Sequence, residues 1–247
     1  QFQDGYLNIR GLTRRLTQVN TQISIPFILS SKGYGLLWNN YGLTDFNPAD
    51  QFVELTPANA SGEAVTVNTT GTSGNVRETR QTYSFTASVE VPRSGSYSLL
   101  LDVGQRMARK YYLVIDGQKI MDVNNLWLPP TTSAIVELTA GKHDIEVQGE
   151  RNDKPVLYWR PVSEETVFRS PVAQMLDYTV FAGNGDEVIA SYRELTGPAP
   201  MMPLWSLGYI HCRERYNTQA ELLENAREFR ERKLPIDIIV QDWQYWG

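Results

Sequence analysis

Between Leu204 and Asp242 the sequence runs apolar segment, amphipathic helix, apolar segment, and that order constrains the fold more than any other stretch. Leu204 to His211 is an apolar run that ends in His211-Cys212. Thr218-Gln-Ala-Glu221 has the form of a capping box, in which the Thr accepts from the backbone three residues on and the Glu reaches back. Leu222, Leu223, Ala226 and Phe229 then recur at helical spacing, with Glu and Arg between them. Pro235 keeps Leu234 out of helical backbone and marks the helix end. Ile236 to Val240 is a short, β-branched apolar run, the pattern of a strand buried on both faces. Strand, helix, strand predicts a βαβ unit with parallel strands. Parallel strands end on one side, and in a barrel of such units that side carries the chemistry. His211, Cys212 and Asp242 are expected there.

Asp242 is followed by Trp243, Tyr245 and Trp246. A carboxylate among aromatic rings suits sugar binding, because rings stack on the apolar faces of a pyranose and the carboxylate accepts from its hydroxyls. Each residue also has a plainer account. Asp242 can be a solvated turn carboxylate or a helix cap, and Trp243, Tyr245 and Trp246 can be packing. His211 and Cys212 can line a subsite, but a lone Cys is often a small buried hydrophobe.

Composition narrows the classes. The 247 residues allow one large or two ordinary domains, with 41% hydrophobic and 21% charged residues, as in a soluble globular protein. A net charge of −5 gives no reason to expect a nucleic-acid partner. Cys212 is the only cysteine, which excludes an internal disulfide, and with two His the chain lacks the ligands of a Cys/His zinc cluster. Asp102, Asp116 and Asp122 stand singly, whereas a calcium site needs several convergent oxygens, so no calcium is expected there; no other metal and no cofactor is expected either. No signal-like segment and no apolar stretch of membrane length occurs in these residues, so membrane insertion is not expected.

Ahead of the βαβ pattern the chain reads as β. Ile23 to Leu29 and Gly33 to Trp38 are strand-like. A Ser/Thr/Gly cluster from Thr66 to Gly74 opens a region of short strand candidates: Thr82–Val89, Gly95–Val103, Lys110–Ile115, Lys119–Val123, Ile135–Leu138, His143–Gln148 and Val156–Trp159. Asp116-Gly117 is a hairpin signal between two of them. Many short strands with Gly and Pro turns predict a β-sandwich. Met175–Ala182 reads as a strand and Asp186–Leu195 as a helix with Val188, Ile189, Tyr192 and Leu195 on one side. A Pro-rich connection, Gly197 to Pro203, leads into the βαβ pattern.

Several runs together carry a family resemblance. Pro203-Leu-Trp205-Ser-Leu-Gly208-Tyr, Arg213-Glu-Arg-Tyr216, Phe229-Arg230, Pro235-Ile-Asp237 and Gln241-Asp242-Trp-Gln-Tyr-Trp246 resemble the start of the barrel of glycoside hydrolase family 31. Gln18-Val-Asn20-Thr21, Ile25-Pro26 and Ser30 to Trp38 resemble that family's N-terminal β-sandwich. Residues 48–162 resemble an inserted protective-antigen-type β-sandwich module, through Gly95-Ser-Tyr97, Tyr112 to Gly117 and Leu138 to His143. The expected fold is mainly β. It comprises an N-terminal β-sandwich (1–47 and 163–195), an inserted carbohydrate-binding β-sandwich (48–162), and the truncated start of a (β/α)8 barrel (196–247). Two strands fall far short of the ~250 residues such a barrel needs, so a longer parent enzyme is expected.

The resemblance implies a retaining α-glycosidase with two carboxylates about 5 Å apart. Both belong to later barrel strands, so no catalytic residue is expected among these. An insert at this point is similar to that of the family's α-xylosidases, which implies removal of non-reducing-end α-xylosyl residues from xyloglucan oligosaccharides. An α-glucosidase or α-glucosyltransferase of the family is the alternative, and a non-catalytic carbohydrate-binding module is another. Asp242 matches the family's Asp that holds a hydroxyl of the −1 sugar. Trp243 is expected to crowd the space of a hexose hydroxymethyl and so favour xylose. Trp127, in a loop-like stretch of the insert, is either a stacking platform for a distal sugar or a buried sandwich residue. A periplasmic or secreted, cell-surface location is expected for the parent.

Overall fold

A hairpin at Asp116-Gly117 shows how local sequence builds the largest part of the molecule. Both residues have positive φ, 48° and 78°, the turn whose twist matches two antiparallel strands. It joins β9 (Tyr111–Ile115) to β10 (Gln118–Val123). The computed structural model describes residues 9–18, 23–71, 74–104, 110–123 and 131–242. β9 and β10 belong to a five-stranded sheet with β6 (Thr56–Gly71), β7 (Gly74–Val91) and β12 (Gly141–Gly149), in the order β10-β9-β12-β7-β6. A four-stranded sheet, β11-β8-β13-β5, comprises β5 (Gln51–Glu54), β8 (Gly95–Asp102), β11 (Thr131–Leu138) and β13 (Val156–Pro161).

The two sheets share one apolar core. Leu101, Leu113, Val147 and Leu157 are wholly buried, and Tyr97, Leu99 and Trp159 pack with them. Alternation along β9, buried at Tyr111, Leu113 and Ile115, is the sequence origin of that core. Each buried Leu or Val contributes about 1.5–3 kcal/mol. Of the Ser/Thr/Gly cluster expected to open a region of short strands, Thr66 to Gly71 instead lie within the long strand β6 and Gly74 begins the long strand β7. The cluster's Thr and Val residues favour extended backbone, which outweighs the glycines.

Flanking segments form two three-stranded sheets. One is β1-β4-β14, from β1 (Arg14–Leu16), β4 (Thr44–Phe46) and β14 (Phe168–Arg169); the other is β15-β3-β2, from β2 (Phe27–Ser30), β3 (Tyr34–Trp38) and β15 (Tyr178–Ala182). Trp38 of β3 stacks on Phe168 of β14 with ring centroids 5.5 Å apart, joining the two sheets. Helix α1 (Gly185–Thr196) seats Val188 over Gly35, where an added Cβ would lie 2.4 Å from a Val188 methyl. Of the apolar residues expected on one side of this helix, Val188 is fully buried while Ile189 and Leu195 remain exposed.

A buried polar seam ties residues 12–16 to the outer face of the four-stranded sheet. The Thr13 N–H donates to Ser98 Oγ at 2.7 Å, and both residues are almost wholly buried. Arg15 reaches Asp102 at 2.6 Å and Asp45 at 3.3 Å. At the start of the two-sheet region stands Asn47, buried, with φ 48°. Its Nδ2 donates to Leu12 O, its Oδ1 accepts from Val167 N–H, and its carbonyl accepts from Thr13 Oγ1.

Contact density divides the chain into two units, Gln1–Thr69 with Val76–Ile189, and Thr70–Asn75 with Ala190–Gly247. The second holds a 3₁₀ turn (Leu204–Leu207), β16 (Ile210–Arg213), helix α2 (Gln219–Glu231) and β17 (Ile238–Gln241). The two strands pair in parallel, from Ile210 against Ile238 to Arg213 against Gln241. Two expectations are corrected here. The apolar run from Leu204 is split, because Ser206 N–H and Oγ both bond Pro203 O and close a turn before the strand. Strand β17 is half-buried along its length rather than buried on both faces, with Ile236 the buried residue ahead of it. Among the described residues only β16 pairs with it. No helix among the described residues is long and apolar enough to cross a membrane.

Candidate functional site

The βαβ unit is fastened at both ends by side chains. At the strand starts, Asp237 Oδ2 accepts from the Tyr209 N–H at 3.0 Å. Gly208 makes room for it, since a Cβ there would lie 2.0 Å from that oxygen. Arg230 of α2 donates to Ile236 O at 2.8 Å. Helix α2 begins as the capping box predicts, with Thr218 Oγ1 accepting from Glu221 N–H at 3.1 Å. Glu221 itself reaches one residue further than a capping box requires. Its Oε2 accepts from Asn217 N–H at 2.8 Å, and its Oε1 pairs with Arg213 at 3.0 Å. The helix closes through Lys233, at φ 56°, ahead of Pro235.

At the strand ends, Gln241 grips the loop that follows β16. Its Oε1 accepts from Tyr216 N–H at 3.0 Å and its Nε2 donates to Tyr216 O at 3.2 Å. The Tyr216 ring is buried under the Arg213 guanidinium, 5.4 Å from the ring centre, and burial raises its hydroxyl pKa. The backbone N–H of Asp242 donates to Arg213 O at 3.3 Å, so the parallel ladder runs one residue past β17.

The pleat then decides which predicted residues meet. Side chains alternate along a strand, and residues in register share a face. Cys212, Val240 and Asp242 fall on one face, and both Cys212 and Asp242 are exposed. His211 falls on the other, the face that carries α2. Its ring lies 5.0 Å from Phe229 of the helix, and its Nδ1 is 3.1 Å from the Tyr209 hydroxyl. Cys212 and Asp242 are therefore brought to one surface, while His211 packs between strand and helix. Trp243, Tyr245 and Trp246 lie outside the described residues, as does Trp127.

Asp102, Asp116 and Asp122 each have a nearby cation or imidazole: Arg15, His143 and Lys119 respectively. Among the described residues no three His, Cys, Asp or Glu side chains converge as a metal site requires. Sequence reasoning missed Gln241 and Asp237, whose partners are backbone atoms about 25 residues away that no local pattern announces.

A β-rich region thus runs into a parallel βαβ unit that brings Cys212 and Asp242 to one surface at its strand ends. Residues 199–247 match the family model described as the glycosyl hydrolases family 31 TIM-barrel domain. The whole chain superposes on the crystal structure of the family 31 alpha-xylosidase from Xanthomonas citri with a TM-score of 0.70 and 28% identity, covering 100% of this chain and 31% of that one. It is also 28% identical over 242 residues to an alpha-xylosidase of Saccharolobus solfataricus, across 98% of this chain and 18% of that protein. An alpha-glucosidase 2 of Bacillus thermoamyloliquefaciens is 42% identical over 71 residues, 28% of this chain and 9% of that protein. The chain is thus similar along its length to family 31 alpha-xylosidases and carries that family's barrel signature over residues 199–247, and it spans less than a third of the length of these relatives.

Proposed function

We propose that this chain forms part of a retaining α-glycosidase, an α-xylosidase that releases non-reducing-end α-xylosyl residues from xyloglucan-type oligosaccharides. The observation that carries the reading is likeness along the whole chain to two alpha-xylosidases, β-sandwich region included. In this reading Asp242 accepts hydrogen bonds from a hydroxyl of the −1 sugar, and Cys212 lines the same surface. Trp243 crowds the position of a hexose hydroxymethyl. His211 contributes by holding α2 against the strand. Neither the nucleophile nor the acid/base is assigned to a residue of this chain. Hydrolysis with retention requires both, about 5 Å apart across the glycosidic bond.

Residues 48–162 are assigned as an inserted carbohydrate-binding module that extends the positive subsites. Support comes from its strands, which fill two sheets around a single core. An oligosaccharide is the expected partner, and an exported location for the parent goes with it.

A second reading, α-glucosidase or α-glucosyltransferase, is favoured by the 42% identity to an alpha-glucosidase. The full-length enzyme assayed on nitrophenyl α-xyloside and α-glucoside separates the two. Higher kcat/KM on the xyloside supports the first reading. Higher efficiency on the glucoside supports the second. Sugar binding without release of nitrophenol from either points to a non-catalytic module.

A further inference from the structure

We infer that the cavity where the two-sheet region joins the flanking strands is a binding site for one unit of a neutral sugar. The cavity holds about 370 Å³ and is walled by the chain that enters β5 and the chain that leaves β13. That volume is near the lower end of ligand cavities, about 300–1,000 Å³, and suits a single pyranose ring rather than an oligosaccharide. None of its lining residues has a role in the reading above, and its chemistry is the same whichever glycoside the enzyme prefers.

Trp159 shows most clearly that a partner is missing. It keeps only 9% of its surface, packs against Tyr97 with ring centroids 5.9 Å apart, and lines the cavity. A buried indole N–H ordinarily finds an acceptor. That of Trp159 has none among the described residues, and a ligand hydroxyl would supply one. Gln51 lies opposite Trp159 in register, so the two side chains share a face. It too lines the cavity, and its amide, a donor and an acceptor together, bonds no described residue. Glu165 adds a carboxylate with no cation paired to it among the described residues.

The remaining walls are already fixed. Asp50 and Arg169 pair at 2.7 Å. Arg160 donates to Pro48 O, to Pro161 O and, at 2.9 Å, to Ser163 Oγ, which ties the entering chain to the leaving one. Pro48, Pro161 and Val167 offer apolar surface to the C–H bonds of a ring. Two arginines balance Asp50 and Glu165, so the lining carries no net charge. A phosphate or carboxylate ligand would meet the unpaired Glu165. A sugar hydroxyl both donates and accepts, as indole, amide and carboxylate together require.

In the full-length enzyme, binding of radiolabelled D-xylose is measured by equilibrium dialysis for wild type, Glu165→Ala and Gln51→Ala, with thermal midpoints alongside. Xylose bound elsewhere is common to all three and cancels in the comparison. We expect the affinity of one xylose site per chain to fall about tenfold in Glu165→Ala and by a smaller factor in Gln51→Ala. The midpoints should coincide, since neither side chain holds a contact within the fold. Superimposable isotherms for wild type and both variants overturn the proposal. Inorganic phosphate that displaces the Glu165-dependent xylose at equal concentration also overturns it, because it marks an anion site. A loss of xylose that tracks a fall in the midpoint rejects Glu165 as a ligand and the site with it. If Glu165→Ala does not fold, Gln51→Ala decides: an unchanged isotherm rejects the site, and weaker binding at an unchanged midpoint supports it.

Discussion

Arg15 and Asp102 lie 87 residues apart in the chain, and their side chains meet at 2.6 Å. Arg15 also reaches Asp45, so one guanidinium serves two carboxylates from two sheets. Burial works against its charge, yet Asp45 and Asp102 outweigh that and raise its pKa. Replacing it by Met leaves two partly buried carboxylates facing each other. Arg15→Met is expected to cost about 1–3 kcal/mol, lowering the thermal midpoint by several degrees. Calorimetry of the mutant checks this, and an unchanged midpoint rejects the seam as a stabilising contact.

Asn47 performs a different task in the same region. Its side chain joins Leu12 to Val167, and its φ of 48° suits Asn better than Ala. Asn47→Ala is expected to lose about 2–3 kcal/mol, and Asn47→Gly somewhat less, since Gly restores the backbone freedom but not the hydrogen bonds. Urea midpoints measure both. Losses under about 0.5 kcal/mol in both would show that the junction holds without it.

His143 predicts a pH dependence. Its Nε2 faces Thr139 O at 2.8 Å and its Nδ1 faces Asp116 at 2.6 Å, two acceptors that favour the doubly protonated ring. The hydrogen bond to Thr139, then that to Asp116, raises its pKa. A raised folded pKa contributes stability that is complete below the unfolded value of about 6.5 and is lost as pH rises through the folded value. Asp116, held low chiefly by His143, behaves oppositely and loses its share only in acid. It is half-exposed, so that share is small. The thermal-midpoint difference between wild type and His143→Gln should shrink as pH rises above neutrality. A difference that is flat or grows would contradict the imidazolium.

Trp243 is expected to help choose pentose over hexose. In the full-length enzyme Trp243→Ala should raise the ratio of α-glucoside to α-xyloside kcat/KM, by about 10- to 200-fold if the ring supplies a steric block of ~1–3 kcal/mol. Both substrates are measured on one folded variant. An unchanged ratio assigns the ring to packing.

How legible these features were depended on the range of the interaction. The Asp116-Gly117 turn, the Thr218 cap and the alternation of β9 are local, and the sequence carries each within a few residues. The parallel pairing of β16 and β17 followed from the helix between them. The extent of β6 and β7 did not, because their Ser/Thr/Gly stretch lacks the apolar alternation that marks a strand. Within the site, spacing put His211 and Cys212 near Asp242 but could not assign faces until the register was known. Gln241 was invisible, since its partner is a backbone.

One consequence follows from the pairing of β5 with β13. Gln51, just inside one end of the two-sheet region, lies opposite Trp159, just inside the other. Phe46 pairs with Phe168 on the near side of both. The path therefore departs and comes home through the same doorway, and what lies beyond can be exchanged without rerouting the strands on this side. A sequence element of any length whose ends sit one strand spacing apart, about 5 Å, could be spliced at that threshold. Differences in length beyond the doorway would then leave the pairing of Phe46 with Phe168 on the near side unaltered.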